Sequence, residues 1–380
     1  MNSKILFMAT VERGLENFCL DDLAKNFNVI SEHRVKPGKI FFYGPEEVIY
    51  FINFTARSIN RLYIVLERTE AKTLSDIARI IRGIEWDRYI ASGQTFAIRA
   101  NRIGEHSFTS MDIAREAGSA IIETITKRRR ERPKVNLGNP DVRVLVELSH
   151  STLLIGIDTT GRSLHMRGYR EFSHPYALKT TIAYSMIVMS GWNHSKILLD
   201  PTCGGATIPI EAALYAKRIP HFLFREDFAF KRLKFLSKET EMEAREKILR
   251  GIRENLELRI YALDRSTHFL EGAKRNLEKS YTIKDIKLIR GDARRLHEIF
   301  GEEQIDIIVH NPPYHGSGLR ALYEKILESE LRVIRRGGRI AIITPKRWFW
   351  EILEEYGLKY RKIPVIRERN YITYINIIYL

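Results

Sequence analysis

The sequence predicts an α/β protein with a doubly wound parallel sheet in its C-terminal half and an α+β region in its N-terminal half. Beyond about residue 170, short apolar runs alternate regularly with helical patterns, which is typical of parallel strands covered by helices on both faces. Before that residue, strand and helix patterns are mixed with basic clusters. The 380 residues are enough for two or three domains, each with its own core.

Five apolar runs predict the strands of the C-terminal half. The first run ends at Asp200 and is followed by the glycine turn Gly204-Gly205 and a helical pattern. Segment 220–258 interrupts the alternation, and its charged second half predicts a solvated helical insertion. A further helix is expected over residues 319–334. The predicted strands are 197–199, 260–263, 286–289, 305–309 and 340–343.

The N-terminal half contains two groups of predicted elements. The first group is a small α+β unit with strands at 4–10 and 39–43 and helices at 14–25 and 46–55. The second group runs from residue 73 to about 170, with helices at 74–81 and 111–126 and strands at 142–148 and 152–158.

Composition and charge narrow the class of protein. No run approaches the ~20 apolar residues of a membrane span, and the N-terminus lacks the apolar block of a signal peptide. Two cysteines, Cys19 and Cys203, match no metal-ligand spacing and indicate a reducing compartment, so a cytoplasmic protein is expected. The net charge of +15 indicates a polyanionic partner, most commonly nucleic acid. Only two glutamines occur, which favours a thermophilic source. Thermophilic proteins are enriched in Glu as well as Lys, however, so a thermophilic source does not explain the surplus of positive charge.

The densest basic run predicts an RNA-binding patch. It contains a single acid, and its number of positive side chains exceeds what would favour the dipole at a helix C-terminus. Trp86 is expected in the core. Arg57, Arg61, Arg99 and Arg102 are expected to extend the RNA surface. The residues of the predicted patch are Lys127, Arg128, Arg129, Arg130, Arg132 and Lys134.

The strongest local motif is Asn311-Pro312-Pro313-Tyr314, directly after a predicted buried strand. An amine conjugated to a base is a weak nucleophile and needs acceptors that hold its N–H groups in line with a methyl donor. The Asn311 side-chain oxygen and the Pro312 carbonyl offer two such acceptors on a backbone restricted by proline. Tyr314 is expected to stack on the base. The alternative is a well-formed loop without function.

The second motif is the turn from Asp200 to Thr207, where a ligand can approach the backbone and a helix N-terminus. Asp264 ends the next strand, where a carboxylate commonly accepts ribose hydroxyls, and Asp292 follows the third strand, within reach of an adenine amine. Each acid alone is commonly a helix cap, but three at successive strand ends indicate a ligand site. No Walker-type loop and no histidine cluster suited to a metal are present, and methyl transfer from a sulfonium needs neither.

With these motifs the C-terminal half resembles the Rossmann-like class I methyltransferases whose motifs read Asp-Pro-x-Cys-Gly-Ser-Gly-Thr and Asn-Pro-Pro-Tyr-Gly; residues 227–230 resemble the family's insertion. Residues 9–16, 84–87, 139–144 and 164–170 are similar to a ferredoxin-like region joined to a THUMP domain. The resemblance spans nearly the whole chain and points to the THUMP-containing RNA guanine-N2 methyltransferases, with the archaeal enzymes acting on the tRNA acceptor stem similar in layout. It implies a ferredoxin-like domain at 1–70, a THUMP domain at 71–165 and a methyltransferase domain at 166–380.

The resemblance also implies S-adenosylmethionine as cofactor, tRNA as substrate, and a monomer that needs no metal or membrane. Segment 174–179 is expected to help close the cofactor site. Asn311, Pro312 and Tyr314 are the expected catalytic residues. The expected cofactor contacts are Tyr176, Leu178, Asp200, Cys203, Gly204, Gly205, Ala206, Thr207, Asp264, Arg265, Asp292, Ala293 and Asn311.

Two positions depart from the family pattern. Gly205-Ala206 stands where the family has Ser-Gly, which predicts an alanine methyl against the cofactor, although binding is expected to survive. His315 stands where the family has glycine and is expected to point to solvent; a contact with phosphate or the base is the alternative.

Other functions remain open at this point. Asn-Pro-Pro-Tyr also serves methylation of adenine N6 and of a protein glutamine, but the basic N-terminal half favours RNA. No cysteine suits a cytosine-C5 methyltransferase, and the ATP loop of a thiouridine synthetase is missing. The remaining alternatives are a ribosomal RNA guanine-N2 methyltransferase and a non-catalytic RNA-binding protein with a degenerate methyltransferase fold.

Overall fold

Two β-sheets organise the chain in the computed structural model, which describes residues 4–27, 29–367 and 371–380. The first sheet has eight strands and belongs to the N-terminal half. The second has seven strands and belongs to the C-terminal half. The α/β fold class predicted from the sequence is confirmed.

The first part of the N-terminal half contributes four strands and two helices to the eight-stranded sheet. The strand over 59–70 was not predicted, because its charged residues obscure the alternation of apolar positions. The elements are β1 (Ile5–Val11), α1 (Glu16–Asn26), β2 (Ile30–Lys36), β3 (Lys39–Gly44), α2 (Glu47–Thr55) and β4 (Ile59–Glu70).

The second part completes the same sheet. Its elements are α3 (Leu74–Arg82), β5 (Thr95–Ile103), α4 (Ser110–Arg129), β6 (Lys134–Val135), β7 (Val142–Ser149) and β8 (Thr152–Asp158). The strand order is β2-β3-β1-β4-β8-β7-β5-β6. Because β4 pairs antiparallel with β8, the two parts share one continuous sheet rather than two separate ones. Trp86 is fully buried beside this sheet, as expected.

The C-terminal half has the strand order β11-β10-β9-β12-β13-β15-β14. All five predicted strands are present and parallel, and two antiparallel strands that were not predicted extend the edge. The elements are α5 (Thr180–Met189), β9 (Leu198–Asp200), α6 (Thr207–Ala216), α7 (Lys238–Arg250), β10 (Ile260–Asp264), α8 (Thr267–Lys279), β11 (Ile286–Arg290), α9 (His297–Phe300), β12 (Ile305–His310), α10 (Leu319–Val333), β13 (Ile334–Thr344), α11 (Phe349–Glu355), β14 (Lys359–Ile366) and β15 (Ile372–Tyr379).

A buried ionic cluster joins the two halves. Glu211 on α6 is fully buried and accepts hydrogen bonds from Arg167 and Tyr169, while Arg57, from the loop after α2, lies 3.4 Å from the same carboxylate. Arg57 also donates to the Leu214 carbonyl at 3.1 Å. The prediction that Arg57 extends an RNA surface is therefore wrong. The Arg57 side chain is 5% exposed, and its guanidinium is bonded to other groups of the protein.

The helix predicted in the insertion is α7, and it packs Ala244 and Ile248 against the rest of the molecule while its charged face remains at the surface. Across the described ranges, none of the helices is both long enough and apolar enough to span a bilayer.

Candidate active site

A cavity of about 230 Å³ lies at the carboxyl ends of β9, β10 and β12. Parallel strands end at one edge of the sheet, so the residues that follow them gather there. Twelve of the thirteen residues expected to contact a cofactor line this cavity, together with Pro312. The twelve are Tyr176, Leu178, Asp200, Cys203, Gly204, Gly205, Thr207, Asp264, Arg265, Asp292, Ala293 and Asn311.

The glycine turn after β9 is fixed against the end of β10. The Gly204 amide donates to Asp264 Oδ2 at 3.0 Å, and the Ser266 amide donates to Oδ1 at 2.9 Å. Gly204 has φ +50°, and a Cβ atom at this position would lie 3.3 Å from the His174 ring. Each Asp264 oxygen keeps a second lone pair for a ligand. The turn therefore brings bare backbone and a carboxylate to the same wall of the cavity.

The side chain of Ala206 does not face the cavity, contrary to the prediction from the sequence. Its side chain is fully buried in the core and is not part of the cavity wall. Ala206 has φ 59°, the left-handed conformation, which costs a residue with a Cβ about 1 kcal/mol. The expectation that its methyl group meets the cofactor is wrong, because the turn points the methyl inward, away from the cavity.

Asn276 on α8 holds the segment that closes the cavity, a role the sequence did not reveal. Its side-chain oxygen accepts the amides of Glu171 and Phe172, both at 2.8 Å. Its side-chain nitrogen donates to the carbonyls of Phe172 and Gly205, both at 2.9 Å. One buried amide thus clamps the segment that carries His174, Tyr176 and Leu178 onto the glycine turn.

The acids at the cavity differ in their charge state. Burial raises the pKa of Asp200 to about 7, against the opposing effect of His310. The side chain of Arg294 lowers the pKa of Asp292 to about 2, and its Nε lies 2.9 and 3.0 Å from the two carboxylate oxygens. Asp292 is therefore fully charged at neutral pH, whereas Asp200 is partly protonated.

The tip of β12 carries the predicted acceptor pair. Asn311 and Pro312 line the cavity, and the Asn311 side-chain nitrogen donates to the Tyr176 carbonyl at 3.2 Å. Tyr314 is only 8% exposed, and its hydroxyl donates to the Asn311 side-chain oxygen. The structure thus places Tyr314 behind Asn311.

The expectation that Tyr314 presents its ring to a base is not met in this structure. The exposed aromatic ring at the cavity is that of Tyr176, which is 55% exposed. The ring of His315 lies 5.5 Å from it, and His315 is at the surface as predicted. Burial of the Tyr314 ring follows from long-range packing that the motif alone does not encode.

The predicted basic patch is partly neutralised. Lys127 pairs with Glu123 at 2.7 Å and Arg128 with Asp87 at 2.9 Å. Arg129 is half-buried and donates to the carbonyls of Asp87 and Ile90. The prediction of a wholly unpaired run is therefore wrong for these three residues. Arg130, Arg132 and Lys134 are exposed, and no carboxylate among residues 4–27, 29–367 and 371–380 lies within 4.0 Å of them.

The expected extensions of the RNA surface have different positions. Arg61 pairs with Asp158 at 3.2 Å beside the strand end of β8. Arg99 and Arg102 are exposed, and Arg102 donates to the Gly104 carbonyl at 2.8 Å.

Comparison with known proteins agrees with this architecture. Residues 167–367 match the RMKL-like methyltransferase domain and residues 71–158 match the THUMP domain. The tRNA (guanine(6)-N2)-methyltransferase of Methanocaldococcus jannaschii is 40% identical over 348 residues, which cover 89% of this chain and 90% of that protein. The enzyme of the same name from Archaeoglobus fulgidus is 36% identical and covers 93% of this chain and 87% of its own length. The ribosomal RNA large subunit methyltransferase K/L of Aliivibrio salmonicida is 31% identical, over 81% of this chain and 44% of its own.

Solved structures share the fold. The methyltransferase SMU.472, crystallised with SAH, superposes with a TM-score of 0.86 at 23% identity, covering 99% of this chain and 98% of its own. TrmN from Thermus thermophilus has a TM-score of 0.74 at 23% identity, covering 99% of this chain and 100% of its own.

The parallel sheet, the glycine turn and the acids at successive strand ends define a Rossmann-like methyltransferase. With its THUMP domain, the chain belongs to the RMKL-like methyltransferase family. The resemblance predicted from the sequence is confirmed.

Proposed function

We propose that the protein transfers a methyl group from S-adenosylmethionine to the exocyclic N2 amine of a guanine in tRNA. The observation that carries the proposal is the position of Asn311 and Pro312 on the cavity wall at the tip of the buried strand β12. The names of the two archaeal relatives support guanine N2 as the acceptor and tRNA as the substrate.

The residues of the cavity fit S-adenosylmethionine. Gly204 lets the ligand meet the backbone without a Cβ atom in the way, and Thr207 begins α6, whose N-terminal amides face this end of the sheet. Asp264 offers acceptor lone pairs for ribose hydroxyls. The Asp292 carboxylate lines the same cavity and would accept the adenine amine in place of one of its bonds to Arg294. Bound there, the cofactor supplies an electrophilic methyl group on a positively charged sulfur.

Asn311 and Pro312 act on the nucleophile. The target guanine leaves its stack and enters the cavity mouth beside Tyr176. The side-chain oxygen of Asn311 and the carbonyl of Pro312 accept the two N–H groups of the amine and direct its lone pair toward the methyl carbon. With the cofactor held beside Gly204 and Asp264, its methyl group would pass to this nitrogen and the electron pair of the C–S bond would remain on sulfur. Asn311 cannot accept a proton near neutral pH, so the amine proton leaves to water.

The THUMP domain and the basic surface supply RNA binding in this proposal. Arg130, Arg132 and Lys134 remain available for phosphate contacts. Lys127, Arg128 and Arg129, which are engaged within the protein, contribute less than the sequence indicated.

Mass spectrometry of nucleosides tests the activity. Unmodified tRNA transcripts with guanosine or adenosine at position 6 are incubated with the protein and S-adenosylmethionine, and large-subunit ribosomal RNA is a third substrate. We expect N2-methylguanosine only in the transcript with guanosine. Methylation of ribosomal RNA alone would assign the substrate of the K/L relatives instead. Calorimetry that detects no S-adenosylmethionine binding would establish a non-catalytic protein.

A further inference from the structure

A second and larger cavity lies where the N-terminal half meets the methyltransferase half. Its volume is about 650 Å³, and it is bordered by the C-terminal parts of α1, α2, α6 and α7 and by the loop after α5. None of its lining residues belongs to the cavity at the carboxyl ends of the strands.

The walls of this second cavity are positively charged. Lys25, Arg218, Lys247 and Arg253 line it and are exposed, and within the described ranges no carboxylate lies within 4.0 Å of any of them. His194 is a further exposed lining residue.

Asp22 is the one acid among the cavity's described lining residues, and its carboxylate is already bonded. It is buried and accepts hydrogen bonds from Ser58 at 2.6 Å and Tyr184 at 2.7 Å. Burial raises the pKa of Asp22, against the opposing hydrogen bonds from Ser58 and Tyr184. The wall therefore carries four exposed cations and one acid whose carboxylate is already hydrogen-bonded.

Aromatic rings share the wall with these cations. Lys247 Nζ is 5.3 Å from the centre of the Phe51 ring, and the partly exposed Tyr215 ring packs edge to face, at 5.3 Å, on the buried ring of Tyr184. Phe27 is a fourth ring on the wall. Cations for phosphates and ring surfaces for bases are the two features with which proteins hold single-stranded nucleic acid.

The separation of the two cavities fits one bound RNA. Thr207 and Ile208 at the start of α6 line the first cavity, whereas Tyr215 and Ala216 at its end line the second. Ten helical residues rise about 15 Å. This distance is comparable with about four nucleotide steps at ~3.4 Å each along a strand axis.

We propose that this second cavity, which no similarity assigns, binds a short unpaired segment of the substrate RNA a few nucleotides from the methylated guanine. The proposal rests on the proposed function. RNA binding at this cavity would account for part of the chain's net positive charge, which the partly neutralised run at 127–134 does not explain. The four cations hold phosphates, and the ring surfaces receive an unstacked base.

Two triple variants test the proposal. The cavity variant is Lys25→Ala with Lys247→Ala and Arg253→Ala. The control variant is Lys274→Ala with Lys279→Ala and Lys284→Ala, which removes three exposed cations from α8 and the following loop; no carboxylate of the described residues lies within 4.0 Å of them. Both variants lose three positive charges, from different surfaces of the molecule.

Fluorescence anisotropy measures the affinity for tRNA at several salt concentrations, and calorimetry measures the affinity for S-adenosylmethionine. We expect the cavity variant to bind tRNA at least tenfold more weakly. The slope of log K against log salt should become less steep by about 2, since each phosphate contact contributes about 0.7 to 0.9 to its magnitude. Affinity for S-adenosylmethionine stays unchanged. The control variant binds tRNA within about twofold of the unmodified protein.

The proposal would be overturned if the cavity variant kept the tRNA affinity and the salt slope of the unmodified protein. It would also be overturned if both variants lost tRNA affinity equally, which would reveal a general charge effect.

Steady-state methylation separates these outcomes from failure of the proposed function. An unmodified protein that methylates no tRNA contradicts the function itself. An active protein whose cavity variant keeps its KM for tRNA contradicts only the second site, whereas a raised KM with unchanged kcat supports it.

Discussion

The hydroxyl of Tyr314 donates a hydrogen bond to the side-chain oxygen of Asn311, while the Asn311 nitrogen donates to the carbonyl of Tyr176. The two bonds fix which way the Asn311 amide faces. An amide oxygen has two lone pairs, so Asn311 can hold Tyr314 and still accept one N–H of a substrate amine. We therefore expect Tyr314 to act by positioning Asn311, through the hydrogen bond between the two side chains.

Replacing Asn311 removes the acceptor that orients the amine. We expect Asn311→Ala to lower the methylation rate by about a hundredfold or more, because a preorganised polar contact to the reacting group is lost. Single-turnover assays with tRNA measure the rate, and calorimetry checks that S-adenosylmethionine still binds. Turnover near that of the unmodified enzyme would exclude the orienting role.

Tyr314→Phe distinguishes positioning from stacking. The substitution keeps the ring and removes only the hydroxyl that donates to Asn311. A hydrogen bond of about 0.5 to 1.5 kcal/mol corresponds to a loss of about two- to twelvefold in rate. Tyr314→Leu serves as the comparison, since it removes both ring and hydroxyl. Full activity of Tyr314→Phe together with an inactive Tyr314→Leu would favour stacking instead.

The basic run divides into two groups with different roles. Arg129 donates to two backbone carbonyls, so we expect Arg129→Ala to lower the free energy of unfolding by about 1 to 3 kcal/mol. Replacing Arg130, Arg132 and Lys134 together by alanine is expected to weaken tRNA binding and leave the unfolding midpoint unchanged. Denaturant titration and anisotropy measure the two effects. Unchanged tRNA affinity in the second variant would remove the run from the RNA surface.

Asp200 makes stability depend on pH. Its pKa is raised by burial to about 7 in the folded protein, against about 4 in an unfolded chain. Between these values the folded state holds a proton that the unfolded state has released, so stability falls as the pH rises from about 4 to about 7, by up to about 4 kcal/mol. Urea unfolding without cofactor measures this fall.

We expect Asp200→Asn to flatten the pH dependence between about pH 4 and about pH 7. Asp292→Asn is the control, because the lowered pKa of Asp292 confines its effect to pH values below about 4. An equal slope in Asp200→Asn and the unmodified protein would show that another group titrates in this range.

Features set by neighbouring residues were predictable from sequence. The strand before Asn311 is a continuous apolar run, and the acids Asp200, Asp264 and Asp292 follow their strands directly, so their gathering at one edge follows from parallel pairing alone. The family resemblance added the expectation that residues 174–179 approach the cavity.

Features set by distant residues were not predictable. Asp87 pairs with Arg128 across 41 positions, and Asn276 reaches the segment at Phe172 across 104. Helix α5 is buried along most of its length, including Thr181 and Ser185, so its sequence shows no amphipathic period. Ala206 has a left-handed backbone conformation, which residues with a Cβ atom rarely adopt, so its sequence alone did not indicate it.

The cluster around Glu211 also determines how the molecule comes apart. If the two halves separated, Arg57 would lose its carboxylate partner Glu211 and Arg167 would lose the carbonyl of Arg57, and an unpaired buried charge costs several kcal/mol. Unfolding of either half alone would leave this contact unsatisfied in the other. We therefore expect the chain to denature as one cooperative unit, with a single heat-absorption peak in calorimetry.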